Sequence, residues 1–350
     1  MNDDAVRAFA IRTEHRWRGP TIAEIARASG VGTATVDRVL NGRGGVRAVT
    51  KEKVLDALAE LGRGLKQERE TASRKIAFLT ESGVSFNRSL EEAVAHYRAQ
   101  HEDLDCSFTA VATADVNPIK FAQLLERTAD EADGLIVVAR EDLMINRAIR
   151  AVTARGVPVV CVTTDLPNSN RIAYVGSDQT VAGATAAYLM GRLVGERAGK
   201  ILLVISAPYR CQEERELGFR RILRTEFPNL EIEERLGSND EPEYSYRNVR
   251  KYIEEHGAPV GIYNVAGGNV GVAGALRDEG LEGKVVFIGH ELNANSRMLL
   301  ESGGMDIVVG HDLEHEVALS SETINALLDK RPVPNSIPTK VHVYTKFNCD

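Results

Sequence analysis

The spacing of hydrophobic residues changes character once along this chain, near Lys75. Ahead of it, apolar positions recur every three or four residues in short blocks, the period of helices. Beyond it, short β-branched runs alternate with longer amphipathic stretches. The runs predict strands at Ile76–Thr80, Phe108–Ala112, Gly134–Ala139, Val157–Val162, Lys200–Ser206, Glu231–Leu236, Val260–Asn264, Lys284–Gly289 and Ile307–Gly310. The stretches between them predict helices over Leu90–His101, Pro118–Asp130, Asp142–Arg155, Gln179–Ala198, Glu213–Phe227, Tyr244–His256, Asn269–Glu279, Ala294–Ser302 and Glu314–Asp329. Such alternation builds parallel sheets covered by helices on both faces. The strands are too many for one open sheet and predict two similar lobes of about 100–150 residues each, with Ile172–Gly176 as the first crossover between them.

In the first block, Thr21 followed three residues later by Glu24 is a reciprocal helix cap. It predicts a helix carrying Ile22, Ile25 and Ala26 on one face. Ser29-Gly30-Val31 ends it: Gly30 can take the positive φ that a tight corner demands, and Val31 turns back into a small core. A second helix, from about Thr33 to Asn41, puts Val36, Val39 and Leu40 on one side and Ala34, Asp37, Arg38 and Asn41 on the other. A third is predicted from Thr50, with Val54, Leu55, Leu58 and Leu61 as its apolar stripe and Gly62 as its stop. The short polar face of the second helix suits a DNA major groove. There the fork of Arg38 matches guanine O6/N7, and Thr33 or Ala34 reaches a thymine methyl. The plain alternative is an αα-hairpin inside a larger helical domain.

Thr21, Ile22, Ile25, Ala26, Gly30, Val31, Thr35, Val36, Arg38, Val39, Leu40 and Asn41 stand where the lactose-repressor (LacI/GalR) family has its opening motif. The chain resembles that family over essentially all of 20–345. The resemblance implies a transcriptional repressor with an all-α helix-turn-helix head at 20–62, preceded by an arm at 1–19 and followed by a linker at 63–75. It implies an α/β body at 76–345, two-lobed and of the type I periplasmic-binding-protein kind. Lobe 1 would hold about 76–175 and 312–336, and lobe 2 about 176–311 and 337–350. The partners implied are a palindromic double-stranded DNA operator, a small-molecule effector, and a second copy of the chain in a homodimer or tetramer.

On DNA, Arg38 would be the main base reader, Thr33 and Ala34 would tune the sequence, and Asn41, Arg43, Arg47 and Lys51 would anchor phosphates. Thr21 and Thr35 complete the set. Asp37 departs from the serine or threonine common in the family. It either accepts from a cytosine amino group or orients Arg38 or Arg43. The linker GRGLKQERETASRK lacks the family's Asn-Pro pattern. Leu65 is its one bulky apolar candidate for a minor-groove wedge, and a flexible charged linker is the other reading.

Charge supports the division. The chain has a formal net charge of −7, yet residues 16–69 hold eleven Lys/Arg against six Asp/Glu. A basic head on an acidic body confines contact with a polyanion to the head. The 43% hydrophobic content suits a globular core, and the longest apolar runs, such as Ile201–Ala207, are too short to span a bilayer. Cys106, Cys161, Cys211 and Cys349 form no CxxC pair, which fits a reducing cytoplasm and no zinc site. No G-x-S-x-G elbow, phosphate loop or metal cluster is present, so no catalytic residue, cofactor or metal is expected. A transporter's solute receptor would need an export signal, which the opening residues lack.

In α/β lobes the ligand sits off the carboxyl ends of the strands. The polar residues there are Ser85, Phe86 and Asn87 after the first strand, Arg140 after the third, Asp165 after the fourth, and Tyr209 and Arg215 after the fifth. Asn264 and Asn269 flank Gly267-Gly268, and Glu291 and His311 follow later strands. By resemblance, Arg215 stands for an arginine that binds inducer hydroxyls, Asn264 for an asparagine, Glu291 for an aspartate, and His311 for a glutamine. Carboxylates, amides and a guanidinium suit vicinal hydroxyls, which both donate and accept, so a sugar or polyol is expected. Phe86, Tyr209 and Tyr263 are the rings available for stacking. Arg140 and Arg215 could instead serve salt bridges between or within the lobes.

Overall fold

A computed structural model describes residues 20–349 apart from 72 and 102. The arm at 1–19 lies outside the described residues, as does the side chain of Leu65. The described chain divides into two compact units, meeting between Arg74 and Lys75.

The first unit is three helices, α1 (Ile22–Ser29), α2 (Thr33–Leu40) and α3 (Ala48–Thr71). Thr21 caps α1 as its sequence predicts: its hydroxyl accepts from Glu24 N–H at 3.2 Å, and its own N–H donates to the Glu24 carboxylate at 2.7 Å. Gly30 closes the helix at φ 67°. Ile25, Val36, Val39, Val54 and Ala57 form the buried core. Leu40 and Leu55, placed on the buried faces by periodicity, are 40% and 44% exposed; the small core of Ile25, Val36, Val39, Val54 and Ala57 leaves no room for them. Helix α3 begins at Ala48, ahead of Thr50, and does not stop at Gly62. A glycine costs a helix about 1 kcal/mol without forbidding it, and Lys66, Gln67, Glu68 and Arg69 beyond it are strong helix formers.

The second unit contains two six-stranded sheets. The first has strands in the order β11-β5-β4-β3-β1-β2, namely β1 (Arg74–Ser82), β2 (Leu104–Ala112), β3 (Gly134–Val138), β4 (Val159–Val162), β5 (Ala173–Ser177) and β11 (Ser336–Thr339). The second is ordered β12-β10-β9-β8-β6-β7, with β6 (Gly199–Ile205), β7 (Leu230–Gly237), β8 (Gly261–Asn264), β9 (Val286–His290), β10 (Ile307–Gly310) and β12 (His342–Tyr344). Helices α4 (Val84–Gln100), α5 (Pro118–Glu131), α6 (Leu143–Ala154) and α12 (Leu313–Leu328) belong to the first lobe. Helices α7 (Gln179–Val194), α8 (Arg210–Glu226), α9 (Pro242–His256), α10 (Asn269–Asp278) and α11 (Ala294–Ser302) belong to the second.

Period-2 alternation explains the double covering. Ile201 and Leu203 of β6 pack with Ala186, Met190, Phe219 and Leu223 of α7 and α8, while Leu202 and Val204 pack with Val249, Val272 and Leu276 of α9 and α10. Three strands escape the sequence pattern. Ile172–Gly176, expected as a crossover, is mostly β5, paired with β4 and β11. Strand β11 holds the first lobe's sheet to Thr339, past the crossing expected near 337, and β12 then joins the second sheet antiparallel to β10. Strands β11 and β12 lack a hydrophobic run because they are edges, and Pro338 is tolerated in β11 for the same reason, whereas β5 lies inside its sheet but is only five residues long and much of it is small or polar.

Helices α7 and α8 meet through glycines. A Cβ on Gly183 would lie 1.8 Å from Arg215 O, and one on Gly218 would lie 2.0 Å from Thr180 O. Gly183→Ala therefore forces the helices apart and is expected to cost about 1–3 kcal/mol, read as a lowered urea midpoint; an unchanged midpoint contradicts this packing.

Candidate functional site

On the head, α2 presents its polar side outward because Val36 and Val39 hold the other side in the core. Thr33, Ala34, Arg38 and Asn41 are exposed, while Thr35 and Asp37 are partly covered. Asp37 does not turn to Arg38. Its carboxylate accepts from Asn41 Nδ2 at 2.8 Å and pairs with Arg43 at 3.3 Å, so it orders the two side chains that follow the helix. Arg43, Arg47 and Lys51 are exposed along the turn and the start of α3. Thr21 is also exposed, but its hydroxyl is engaged by Glu24 at 2.8 Å.

In the body a cleft opens at the carboxyl ends of both sheets. Ser85, Phe86, Tyr209, Arg215, Asn269 and Glu291 line it. Ser85 and Phe86 sit in the first turn of α4, which begins six residues ahead of the helix predicted from Leu90. The buried guanidinium of Arg215 donates to Gln179 Oε1 at 2.7 Å, Val265 O at 3.1 Å and Glu291 Oε1 at 3.0 Å. Glu291 and Thr163, both on the cleft wall, hold φ values of 68° and 63°, a backbone region costly for residues other than glycine.

Six expected residues do not line the cleft. Asn87 is spent on the scaffold, accepting from Thr80 Oγ1 and donating to Ser82 O and Val111 O. Asp165 is held by Arg171 in a two-bond pair at 2.6 and 2.7 Å. Asn264 donates to Asn269 Oδ1 at 2.7 Å and so fixes the amide that does face the ligand space. Arg140 pairs with buried Glu81 at 2.8 Å and stands 5.5 Å from the centre of the Tyr209 ring. Tyr263 is also unavailable for stacking, being buried against Phe219.

His311 lies behind Glu291. Its Nε2 is 2.9 Å from Glu291 and its Nδ1 2.9 Å from Glu316, inside the lobe junction. Glu316 also accepts from Thr163 at 3.1 Å and Thr339 at 2.7 Å, tying the first lobe to the strand crossings. Burial alone would drive the imidazole neutral, but the Glu316 and Glu291 charges outweigh it and hold its pKa well above the usual histidine range. Burial likewise opposes ionisation of Glu291; the charge and hydrogen bond of His311 and the Arg215 charge overcome it and hold the carboxyl well below its usual range. His290 is kept neutral by burial and by Arg215.

The cleft also contains residues the sequence reading passed over. Asn293 and Asn295 follow Glu291, Gln212 is in the first turn of α8, and Asp240 follows β7. Asp240 crosses the cleft: it accepts from Thr113 Oγ1 of the first lobe at 2.8 Å and from Gly267 N–H of its own lobe at 2.7 Å. The rule that flagged the other strand ends also applies to β7, whose end reads in sequence as a simple Ser-Asn-Asp turn.

Residues 78–332 match the model of the periplasmic binding protein domain, and residues 21–62 match that of bacterial regulatory proteins of the lacI family. Among curated protein sequences no relative matches. Solved structures similar to the chain include a glucose-galactose binding protein from Geobacillus stearothermophilus (20% identity, TM-score 0.71, 79% of this chain and 98% of that one). A transporter solute-binding protein from Agrobacterium vitis with bound D-fucose matches at 20% identity and TM-score 0.73, over 79% and 97%. One from Actinobacillus succinogenes 130z with bound D-allose matches at 20% and 0.71, over 79% and 99%. At such identities these likenesses establish the body's fold. The head and body together identify the chain as a DNA-binding transcriptional regulator of the lacI family, with a periplasmic-binding-protein domain as its effector-binding body.

Proposed function

We propose that this regulator is a repressor whose hold on a palindromic operator depends on a sugar or polyol bound in the cleft. The observation that carries the effector class is the buried Arg215–Glu291 pair on the cleft wall, beside Asn269, Asn293 and Asn295. A guanidinium, a carboxylate and several amides offer both donors and acceptors to neighbouring hydroxyls. The structurally similar proteins with bound D-fucose and D-allose support the same class.

On DNA, exposed Arg38 reads guanine while Thr33 and Ala34 meet neighbouring bases. Asn41, Arg43, Arg47 and Lys51 hold phosphates. One such head reads only a few base pairs, so the chain acts as a two-fold dimer in the cytoplasm. No described helix is long and apolar enough to cross a membrane. The effector is bound without chemical change and acts by linkage: whatever factor it applies to operator affinity, the operator applies to its own. Thermal-shift screening of the full-length protein against sugars and polyols tests the effector class, since a ligand of the folded state raises the melting temperature by mass action. If no member of the panel raises it, the effector assignment is wrong.

A further inference from the structure

Several helices begin at the cleft, and a helix N-terminus attracts anions through its unpaired N–H groups. Helices α4 and α10 start there from Gly83 and Gly268 without a side-chain cap, whereas α5, α6, α7 and α12 are each capped by Asn117, Asp142, Asp178 or Asp312. The cleft nevertheless already contains its anion. Asp240 takes the Gly267 N–H at 2.7 Å beside the start of α10. It also presses on the start of α4 so closely that a Cβ on Gly83 would lie 2.9 Å from Asp240 Cγ. One carboxylate thus stands at the head of α4 and α10, while α8 and α9, which also reach the cleft without a side-chain cap, start from Tyr209 and Glu241.

The remaining charges leave nothing for a second anion. Among the described residues lining the cleft, Arg215 is the cation, and it is already paired with Glu291. Glu291 is offset by Arg215 and by the charged His311 behind it, which leaves the Asp240 charge unmatched among the described lining residues, and His290 stays uncharged. A phosphate entering this space would lose its hydration and meet a carboxylate where it needs a cation.

We propose that Asp240 confines this cleft to uncharged, polyhydroxylated ligands and turns away their phosphate esters. The inference rests on the sugar or polyol reading above. It makes Asp240 a specificity residue, with a clear substitution test: Asp240→Asn removes the charge but keeps a similar shape, while Thr113→Val removes only the hydroxyl that donates to Asp240 from the first lobe.

The experiment is calorimetric titration of full-length protein with neutral monosaccharides and polyols and with the phosphate ester of each. In the wild type, at least one neutral compound is expected to bind and its ester to bind roughly 100-fold more weakly or worse. In Asp240→Asn that ratio narrows by roughly tenfold, whereas in Thr113→Val it stays at the wild-type value. An ester that binds the wild type as tightly as its parent overturns the inference and leaves the sugar or polyol reading standing. A ratio unmoved in Asp240→Asn removes Asp240 from the explanation. Failure of every compound in both sets to bind overturns the sugar or polyol reading and this inference with it.

Discussion

Arg38→Ala is expected to leave the head folded and to remove operator-specific binding, at a cost of roughly 1–3 kcal/mol per half-site, or about 5- to 150-fold. The fold survives because the core of the head is built from Ile25, Val36, Val39, Val54 and Ala57, none of which depends on the Arg38 side chain. The specificity goes because a guanidinium makes two hydrogen bonds to guanine that water must otherwise supply. Fluorescence anisotropy with the operator and a scrambled duplex separates this from a general loss of affinity. The ratio of the two constants collapses in Arg38→Ala. In Lys51→Ala both constants weaken together and the salt slope falls by about one. An operator preference unchanged in Arg38→Ala would remove the central base reader from the account.

The second large effect is on stability. His311→Leu leaves Glu291 and Glu316 facing each other across a buried gap, and breaking a buried pair of this kind costs about 3–5 kcal/mol. The wild-type pH dependence follows from the direction of each shift. His311 has its folded pKa raised, so its contribution is fully present below the ordinary histidine value and is lost as pH rises through the elevated one. Glu291 has its folded pKa lowered, so its contribution is present above the ordinary carboxylate value and is lost only as pH falls toward the depressed one. In the variant, Glu291 loses the His311 charge and hydrogen bond that help hold its carboxyl down, which raises its pKa. Acidification from neutral pH should therefore shrink the deficit in melting temperature relative to wild type. A deficit that is the same at every pH would mean that His311 fills space and carries no charge.

The two halves of the molecule differ in how much their residues disclose. The head is legible because its constraints are local: the Thr21–Glu24 cap, the positive φ at Gly30 and the spacing of Val36 and Val39 all act within a few positions. Its errors come from size. Leu40 and Leu55 have the right period but no partner to bury them, and Gly62 does not interrupt α3.

In the body, the alternation of strand and helix is written in the burial of both sheet faces, but β5, β11 and β12 are defined by their partners and leave little trace in composition. The cleft follows the same logic. Strand ends identify the loops that reach it, and Tyr209, Arg215, Asn269 and Glu291 stand on its wall where those ends lead. They do not say which way each side chain turns. Asn87, Asn264 and His311 sit at the correct strand ends yet support their neighbours: Asn264 fixes Asn269, and His311 fixes Glu291. Asp240 escaped because a turn rich in Ser, Asn and Asp needs no ligand to explain it, and only the Thr113 and Gly267 hydrogen bonds reveal its position across the cleft.

Control of DNA binding by the cleft is tested most directly by titrating full-length protein onto a palindromic duplex from upstream of its own gene. The titration is run at two salt concentrations, with and without a neutral sugar shown to raise the melting temperature. The prediction is specific binding that weakens steeply with salt and that the sugar shifts by the same factor by which the duplex shifts sugar affinity. Binding that ignores salt, or a sugar that fills the cleft without moving the DNA constant, would contradict it.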